Sequence, residues 1–202
     1  MMYSTMMTGN PPHMNIPIIL TLIRIGLIPI FALTYYLPVT WANVATTAIF
    51  IFAGVTDWFD GYLARRLNQT SAFGAFLDPV ADKLMVAVAL ILLMQTHPNA
   101  MMAIPAAVII GREIAVSALR EWMAELGERA RVAVSFLGKY KTAAQIVALI
   151  LLLYHEPLFG LDTAVIGFIL LYAAAALTLW SMFAYLRAAW IVLLTKDRHD
   201  TG

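Results

Sequence analysis

The sequence predicts an all-α integral membrane protein with six transmembrane helices and both termini in the cytoplasm. The chain of 202 residues is 62% hydrophobic and only 12% charged, which exceeds the apolar content of a soluble protein. Its apolar residues fall into six separate segments. None of its 13 lysines and arginines lies in the breaks that follow the first, third and fifth segments. Composition, segment count and charge distribution therefore point to the same class of fold.

Each apolar segment is long enough, at about 1.5 Å per residue, to cross a hydrocarbon layer of about 30 Å. In chain order the segments cover residues 18–37, 43–63, 75–95, 101–122, 132–154 and 163–185. Residues typical of turns follow the first, third and fifth segments, where Pro38, Pro98 and Pro157 lie. The sequence therefore predicts six membrane-spanning helices.

The orientation follows from the basic residues. The breaks at Pro38, Pro98 and Pro157 contain no lysine or arginine, and all 13 basic residues lie toward the opposite side. Because basic residues concentrate on the cytoplasmic side of membranes, both termini are expected there. We expect residues 1–14 to form a disordered leader, 15–186 the membrane domain and 187–202 a cytoplasmic tail.

Some charged residues fall within these spans. Without its basic end the fifth span would keep only residues 142–154, so Lys139 and Lys141 are expected on a helix that begins before them. The same argument applies to Arg112 and to the acids between residues 57 and 82. Facing lipid would cost several kcal/mol for each charge. We therefore expect a polar cavity that opens to the cytoplasm.

Four carboxylates form the most informative pattern. The second predicted helix carries a stripe at i, i+3, i+4 and i+7, formed by Asp57, Asp60, Gly61 and Ala64. The third carries Gly74, Asp78 and Asp82 at four-residue spacing. Such acids repel one another unless a cation holds them, and their oxygens suit Mg²⁺ or Mn²⁺ better than zinc. The pattern predicts a polynuclear metal site. Pro79 means that the third helix either begins near Asp78 or kinks there.

Metal ions about 4 Å apart are suited to displacement at phosphorus. Gly61, Ala64 and Gly74 leave room for a nucleotide to approach the helix backbones, although tight helix packing is the alternative reading. Arg65 either pairs with a phosphate or, like its neighbour, marks the cytoplasmic side. Asp82 is a candidate general base for a substrate hydroxyl, as well as a ligand.

The pattern Asp-x2-Asp-Gly-x2-Ala-Arg-x8-Gly-x3-Asp-x3-Asp, which runs from Asp57 to Asp82, resembles the signature of the CDP-alcohol phosphatidyltransferase family at all eight positions. The resemblance covers residues 15 to about 185. It is closest to the bacterial members whose acceptor is glycerol 3-phosphate. The matching blocks are NIPIILTLIRIGLIPI from Asn15, TDWFDGYLARR from Thr56, FGAFLDPVADK from Phe73, GREIAVSALREWMAELG from Gly111 and GKYKTAAQ from Gly138.

The resemblance implies the CDP-alcohol phosphotransferase fold, as a homodimer in the bacterial cytoplasmic membrane with a cytoplasm-facing site for two divalent cations, Mg²⁺ or Mn²⁺. By the same resemblance, Asp57, Asp60 and Asp78 bind metal, and Asp82 is both ligand and proton acceptor. Gly61, Arg65 and Ser71 would contact the CDP group. Asn15 and Thr21 either assist there or cap the first helix.

The substrates implied are CDP-diacylglycerol and glycerol 3-phosphate; membrane lipids are expected partners and nucleic acid is not. The candidates for binding the acceptor phosphate are Arg112, Arg120, Lys139 and Lys141. The alternative for these basic residues is a topological role, or pairing with Glu113 and Glu121. A cardiolipin synthase using phosphatidylglycerol, or an enzyme using inositol phosphate or serine, remains a rival reading.

The residues favour direct attack by the acceptor hydroxyl on phosphorus. Cysteine is absent, and the four histidines lie in the leader, two loops opposite the acids and the tail, so a covalent route lacks a nucleophile near the carboxylates. A divalent-cation transporter is the rival from another class, because intramembrane acids also mark ion pathways. The nearly apolar non-cytoplasmic halves of the spans argue against it.

Overall fold

The computed structural model describes residues 16–67, 72–125 and 137–200. Its regular structure there is helical, apart from one isolated bridge between Leu158 and Leu161. In chain order the helices are α1 (Ile16–Tyr35), α2 (Ala42–Leu67), α3 (Ala72–Thr96), α4 (Ala100–Glu125), α5 (Leu137–Tyr154) and α6 (Thr163–Asp200). Within the described ranges, the all-α prediction is confirmed.

Three stretches among the described residues are long and apolar enough to cross a membrane: Ile18–Tyr35, Ala100–Glu125 and Thr163–Arg187. Ala42–Asp57 and Tyr140–Tyr154 are shorter apolar helices. These stretches mark a membrane protein by length and composition. The count of six crossings and the cytoplasmic placement of the termini stay predictions.

The helix bounds decide one point that the sequence left open and agree with one expectation. α3 begins at Ala72 and passes through Pro79 without ending, so Asp78 and Asp82 share one helix. α5 begins at Leu137, which places Lys139 and Lys141 on it as expected, while residues 132–136 lie outside the described ranges. α6 starts after Asp162, whose carboxylate caps the helix by accepting a hydrogen bond of 2.9 Å from the Ala164 N–H, and it continues beyond residue 186 to Asp200.

The first of two compact units is Met1–Val88, which contains α1, α2 and the first part of α3. α1 packs against α2, with the Phe31 and Phe50 rings 6.0 Å apart between centroids. Ala53, Ala81 and Met85 are buried in the same unit. The small side chains of Ala53 and Ala81 allow helix backbones to approach closely, which is the usual way that helices pack in a membrane.

The second unit is Ala89–Gly202. In it α6 packs against both α5 and α4, around the fully buried side chains of Ile109, Leu149 and Leu171. Gly167 of α6 lies close to α5: a Cβ added there would lie 2.8 Å from the Leu152 Cγ and 3.3 Å from the Ala148 carbonyl oxygen, both on α5. α5 and α6 therefore contact each other through a glycine that has no room for a side chain.

Gly167→Ala is expected to lower the free energy of unfolding by about 1–3 kcal/mol, because the new methyl overlaps Leu152 and the α5 backbone. The melting temperature of the purified protein in detergent measures this loss. Gly111→Ala is the matched control on α4, since a Cβ there meets nothing within 4 Å. Helix propensity alone should make the control neutral or more stable, by up to about 1 kcal/mol. Equal melting temperatures for Gly167→Ala and the unaltered protein would contradict the close contact.

Candidate active site

Three helices of the first unit meet at a cluster of charges. α1 supplies Arg24, α2 supplies Asp57 and α3 supplies Asp82. The Nη1 of Arg24 lies 2.8 Å from Asp57 Oδ1 and 2.6 Å from Asp82 Oδ1. Since both oxygens contact one nitrogen, they lie within about 5.4 Å of each other. The structure therefore brings together one acid from each of the two predicted acidic stripes.

Asp78 is held by a second residue of α1. The hydroxyl of Thr21 donates a hydrogen bond of 2.6 Å to Asp78 Oδ1. Thr21 is completely buried and is the sixth residue of α1, so it lies inside the helix and does not cap it. Asn15, which was considered with it, lies outside the described residues. α1 thus positions acids on α3 as well as on α2.

Asp57 and Asp82 are half-exposed, whereas their partner Arg24 is buried. The side chains of Asp57 and Asp82 are 42% and 47% exposed, whereas Arg24 is 1% exposed. Each carboxylate therefore has one side against a buried guanidinium and another side accessible to a ligand. The atoms that these two side chains offer to a metal are carboxylate oxygens, which suit a hard divalent cation.

Asp60 lies on α2, three residues after Asp57, but its side chain lies outside the described part of the chain. Among the described side chains, no three acidic or histidine groups are close enough to form a metal-binding cluster. The four-carboxylate metal site therefore remains a prediction. The carboxylate oxygens of Asp57 and Asp82, which lie close together, are compatible with it.

The predicted nucleotide contacts are only partly within the described residues. Gly74 is buried on α3, one turn before Asp78. Gly61, Ala64 and Arg65 lie on α2, with side chains outside the described set. Ser71 lies between the described ranges. The nucleotide site also stays a prediction.

A second charge cluster lies in the other unit, around Glu113 of α4. Its Oε1 accepts hydrogen bonds from Arg112 Nη1 at 2.7 Å and from Lys141 Nζ at 3.1 Å. The side chains of Arg112 and Lys141 are 10% and 5% exposed. The pairing with Glu113 that the sequence left open is therefore present. In the described contacts Glu121 takes no part in it and is exposed.

α6 adds two hydroxyl groups to this cluster. Ser181 Oγ accepts a hydrogen bond of 3.3 Å from Arg112 Nη2, and the Tyr185 hydroxyl accepts one of 3.4 Å from Arg120 Nη2. The guanidinium carbons of Arg112 and Arg120 also lie 6.0 and 5.5 Å from the centre of the Tyr185 ring. Contacts of this kind between cations and an aromatic face are attractive. Tyr185 therefore holds both arginines.

The cluster carries more positive than negative charge. Among its described side chains, three cations, Arg112, Arg120 and Lys141, accompany the single carboxylate of Glu113. Within the described residues the buried Nε of Arg112 has no hydrogen-bond partner. The side chain of the fourth predicted residue, Lys139, lies outside the described set. The surplus charge and the available donor suit a phosphate group.

A family model described as CDP-alcohol phosphatidyltransferase matches residues 14–180, which include the acidic cluster at Arg24 and most of the basic cluster around Glu113. The chain belongs to the CDP-alcohol phosphatidyltransferase family. The resemblance recognised from residues 57–82 is confirmed. Members of this family generally depend on divalent metal ions.

Bacterial relatives extend the similarity along nearly the whole chain. A protein of Pseudomonas fluorescens is 57% identical over 188 residues, 93% of this chain and 96% of its own. Proteins of Yersinia pestis (strain Pestoides F) and Pectobacterium atrosepticum are 56% and 57% identical, over 90% and 92% of this chain and 98% and 96% of their own. Each is named CDP-diacylglycerol--glycerol-3-phosphate 3-phosphatidyltransferase.

Arg24, Ser181 and Tyr185 are the residues that sequence reasoning did not place in a site. Arg24 carried a signal, because a basic residue in the middle of an apolar span requires an acidic partner. Ser181 and Tyr185 carried a weaker one, the i, i+4 spacing of two hydroxyls on an apolar helix. Both lie beyond residue 180, where the match to the CDP-alcohol phosphatidyltransferase model ends.

Proposed function

We propose that this protein transfers the phosphatidyl group of CDP-diacylglycerol to glycerol 3-phosphate, giving phosphatidylglycerophosphate and CMP for phospholipid biosynthesis. The observation that carries the proposal is 57% identity, over 93% of the chain, to a relative named for this reaction. The two charge clusters supply the chemistry that the reaction needs. One consists of acids suited to a metal, and the other has surplus positive charge suited to the acceptor phosphate.

The acidic cluster is the proposed reaction centre. Asp57, Asp60, Asp78 and Asp82 would hold two divalent cations, with Mg²⁺ or Mn²⁺ as the expected metal. Bound there, the cations would stabilise negative charge on the diphosphate and on the departing CMP. Arg24 and Thr21 already fix three of these carboxylates from α1.

Asp82 is the proposed proton acceptor. Its carboxylate is 47% exposed, so a substrate hydroxyl can reach it. As Asp82 takes the proton, the hydroxyl oxygen forms a bond to the phosphorus of the phosphatidyl group, and the bond from that phosphorus to the CMP oxygen breaks. The leaving group departs as CMP. No covalent bond to the protein is required.

The basic cluster is the proposed site for the phosphate of glycerol 3-phosphate. Arg112, Arg120 and Lys141, together with Lys139, would supply the donors, and Tyr185 would hold the two arginines. A phosphate monoester with nearly two negative charges matches the surplus of two positive charges among the described side chains. This surplus favours phosphorylated acceptors over serine. The CDP group of the donor would contact Gly61, Ala64, Arg65, Ser71 and Gly74.

The proposed setting is the bacterial cytoplasmic membrane. Six spans, cytoplasmic termini and a site facing the cytoplasm would place all 13 basic residues on the cytoplasmic side. A homodimer is the assembly implied by the family resemblance. The three long apolar stretches support the membrane location.

The first test is CMP release from CDP-diacylglycerol by the purified protein in detergent, with Mg²⁺ or with EDTA. We expect Mg²⁺-dependent release with glycerol 3-phosphate, and none above background with serine, inositol phosphate or phosphatidylglycerol. Release with a different acceptor would keep the chemistry and overturn the proposed substrate. If no acceptor supported release, the phosphatidyltransferase proposal would fail and cation transport would be the reading to test.

A further inference from the structure

Arg24 is a buried charge that takes no part in the bond-forming and bond-breaking steps of the proposed reaction. It is the ninth residue of α1, about 12 Å along the helix from its start. Its side chain is 1% exposed, so it does not extend to the surface as basic residues near helix ends commonly do. A guanidinium in such a place is retained only where fixed partners compensate its charge. Asp57 and Asp82 are ion-pair partners of Arg24 among the described side chains.

The partners lie on two different helices. The same nitrogen, Nη1, contacts Asp57 of α2 and Asp82 of α3, at 2.8 and 2.6 Å. Two carboxylates within about 5.4 Å repel each other when no cation lies between them. Arg24 supplies that cation from α1. The contact therefore joins three helices at the point where the metal is expected.

We propose that Arg24 is a resident cation of the carboxylate site: it holds Asp57 and Asp82 together when no metal is bound and competes with divalent cations for these two carboxylates. The inference rests on the proposed function only in taking both acids as metal ligands. It assigns Arg24 a positioning role, because the guanidinium contacts the acids and acts on the metal through them.

Two opposite effects on the protein follow. Without metal, loss of the Arg24 charge removes the cation that the two facing carboxylates share and weakens the junction of α1, α2 and α3. With metal, the same loss removes a positive charge that repels an incoming cation and occupies its ligands. The metal-free protein becomes less stable while its affinity for Mg²⁺ rises. A residue with a purely structural role would produce only the first effect.

The experiment uses the full chain in detergent, purified in Mg²⁺ and then treated with EDTA. The melting temperature is followed by the fluorescence of the five tryptophans, and Mg²⁺ binding by calorimetry without substrate. Arg24→Met should lower the metal-free melting temperature by about 5–10 °C. It should also tighten Mg²⁺ binding about tenfold. Arg24→Lys keeps the charge and should lie between the two proteins in both measurements.

Arg112→Met is the control, because it removes another buried arginine, from the second unit. It should leave Mg²⁺ affinity unchanged. If Arg24→Met cannot be kept folded without metal, the double variant Arg24→Met with Asp82→Asn removes the repulsion and should recover metal-free stability. Failure of this recovery overturns the proposal, and so does unchanged or weaker Mg²⁺ binding by Arg24→Met. Absence of Mg²⁺ binding by the unaltered protein would instead refute the metal site itself.

Discussion

Asp82→Asn is expected to lower kcat for CMP release at least about 1,000-fold while leaving the protein folded. The substitution removes both the proposed proton acceptor and one metal ligand. Loss of a general base commonly lowers the rate by about 100- to 10,000-fold, and a bound metal stabilises the transition state by several kcal/mol. Folding should persist because the amide oxygen of asparagine can still accept the hydrogen bond from Arg24 Nη1, now at 2.6 Å. The steady-state rate of CMP release at saturating Mg²⁺ and both substrates measures the loss.

The matched control is Asp162→Asn. Asp162 caps α6 through the Ala164 N–H, and asparagine is an equally good cap, so neither stability nor turnover should change. Activity of Asp82→Asn above about one-tenth of the unaltered rate would remove Asp82 from the mechanism. A folded, inactive Asp82→Asn beside an active control would place the chemistry at this carboxylate.

Arg112→Gln is expected to raise KM for glycerol 3-phosphate by about 10–100-fold while leaving KM for CDP-diacylglycerol near its original value. A hydrogen bond to a charged group contributes about 1.5–3 kcal/mol, which corresponds to this range. Glu113 would keep its contact with Lys141, so the second unit should stay folded. Steady-state assays in which one substrate is varied at a time give both constants.

Arg187→Gln serves as control for that substitution, because Arg187 is exposed on α6 and lies outside both clusters. Its two KM values should not move. If Arg112→Gln changed only the melting temperature, Arg112 would be a structural partner of Glu113, the alternative that the sequence left open. An equal rise in both KM values would point to a general disturbance of the protein.

The positions of site residues can be predicted from the sequence where spacing along a single helix decides them. Asp78 and Asp82 are four residues apart on α3, and the length of the fifth apolar span predicts that Lys141 lies on a helix that begins before it. Helical periodicity and span length fix such positions without tertiary information. The family assignment came from the same kind of local pattern.

Contacts between helices were not predictable in the same way. Arg24 and Asp82 are 58 residues apart in the chain, and Arg120 and Tyr185 are 65 apart. Periodicity gives the face of a helix on which a side chain lies but not the helix that covers that face. From the sequence alone, Arg24 therefore falls among the basic residues that mark the cytoplasmic side, and Tyr185 falls in no site.

Pro79 has a consequence for the surroundings of the predicted metal ligands. Proline has no N–H, so one carbonyl in the preceding turn of α3, the turn that carries Asp78, receives no hydrogen bond from it. In hydrocarbon such a carbonyl costs several kcal/mol unless a neighbouring group or a water molecule donates a hydrogen bond to it. The polar cavity that the sequence predicts around these acids would supply such a donor. It would also admit the phosphates of a lipid donor while the acyl chains stay in hydrocarbon.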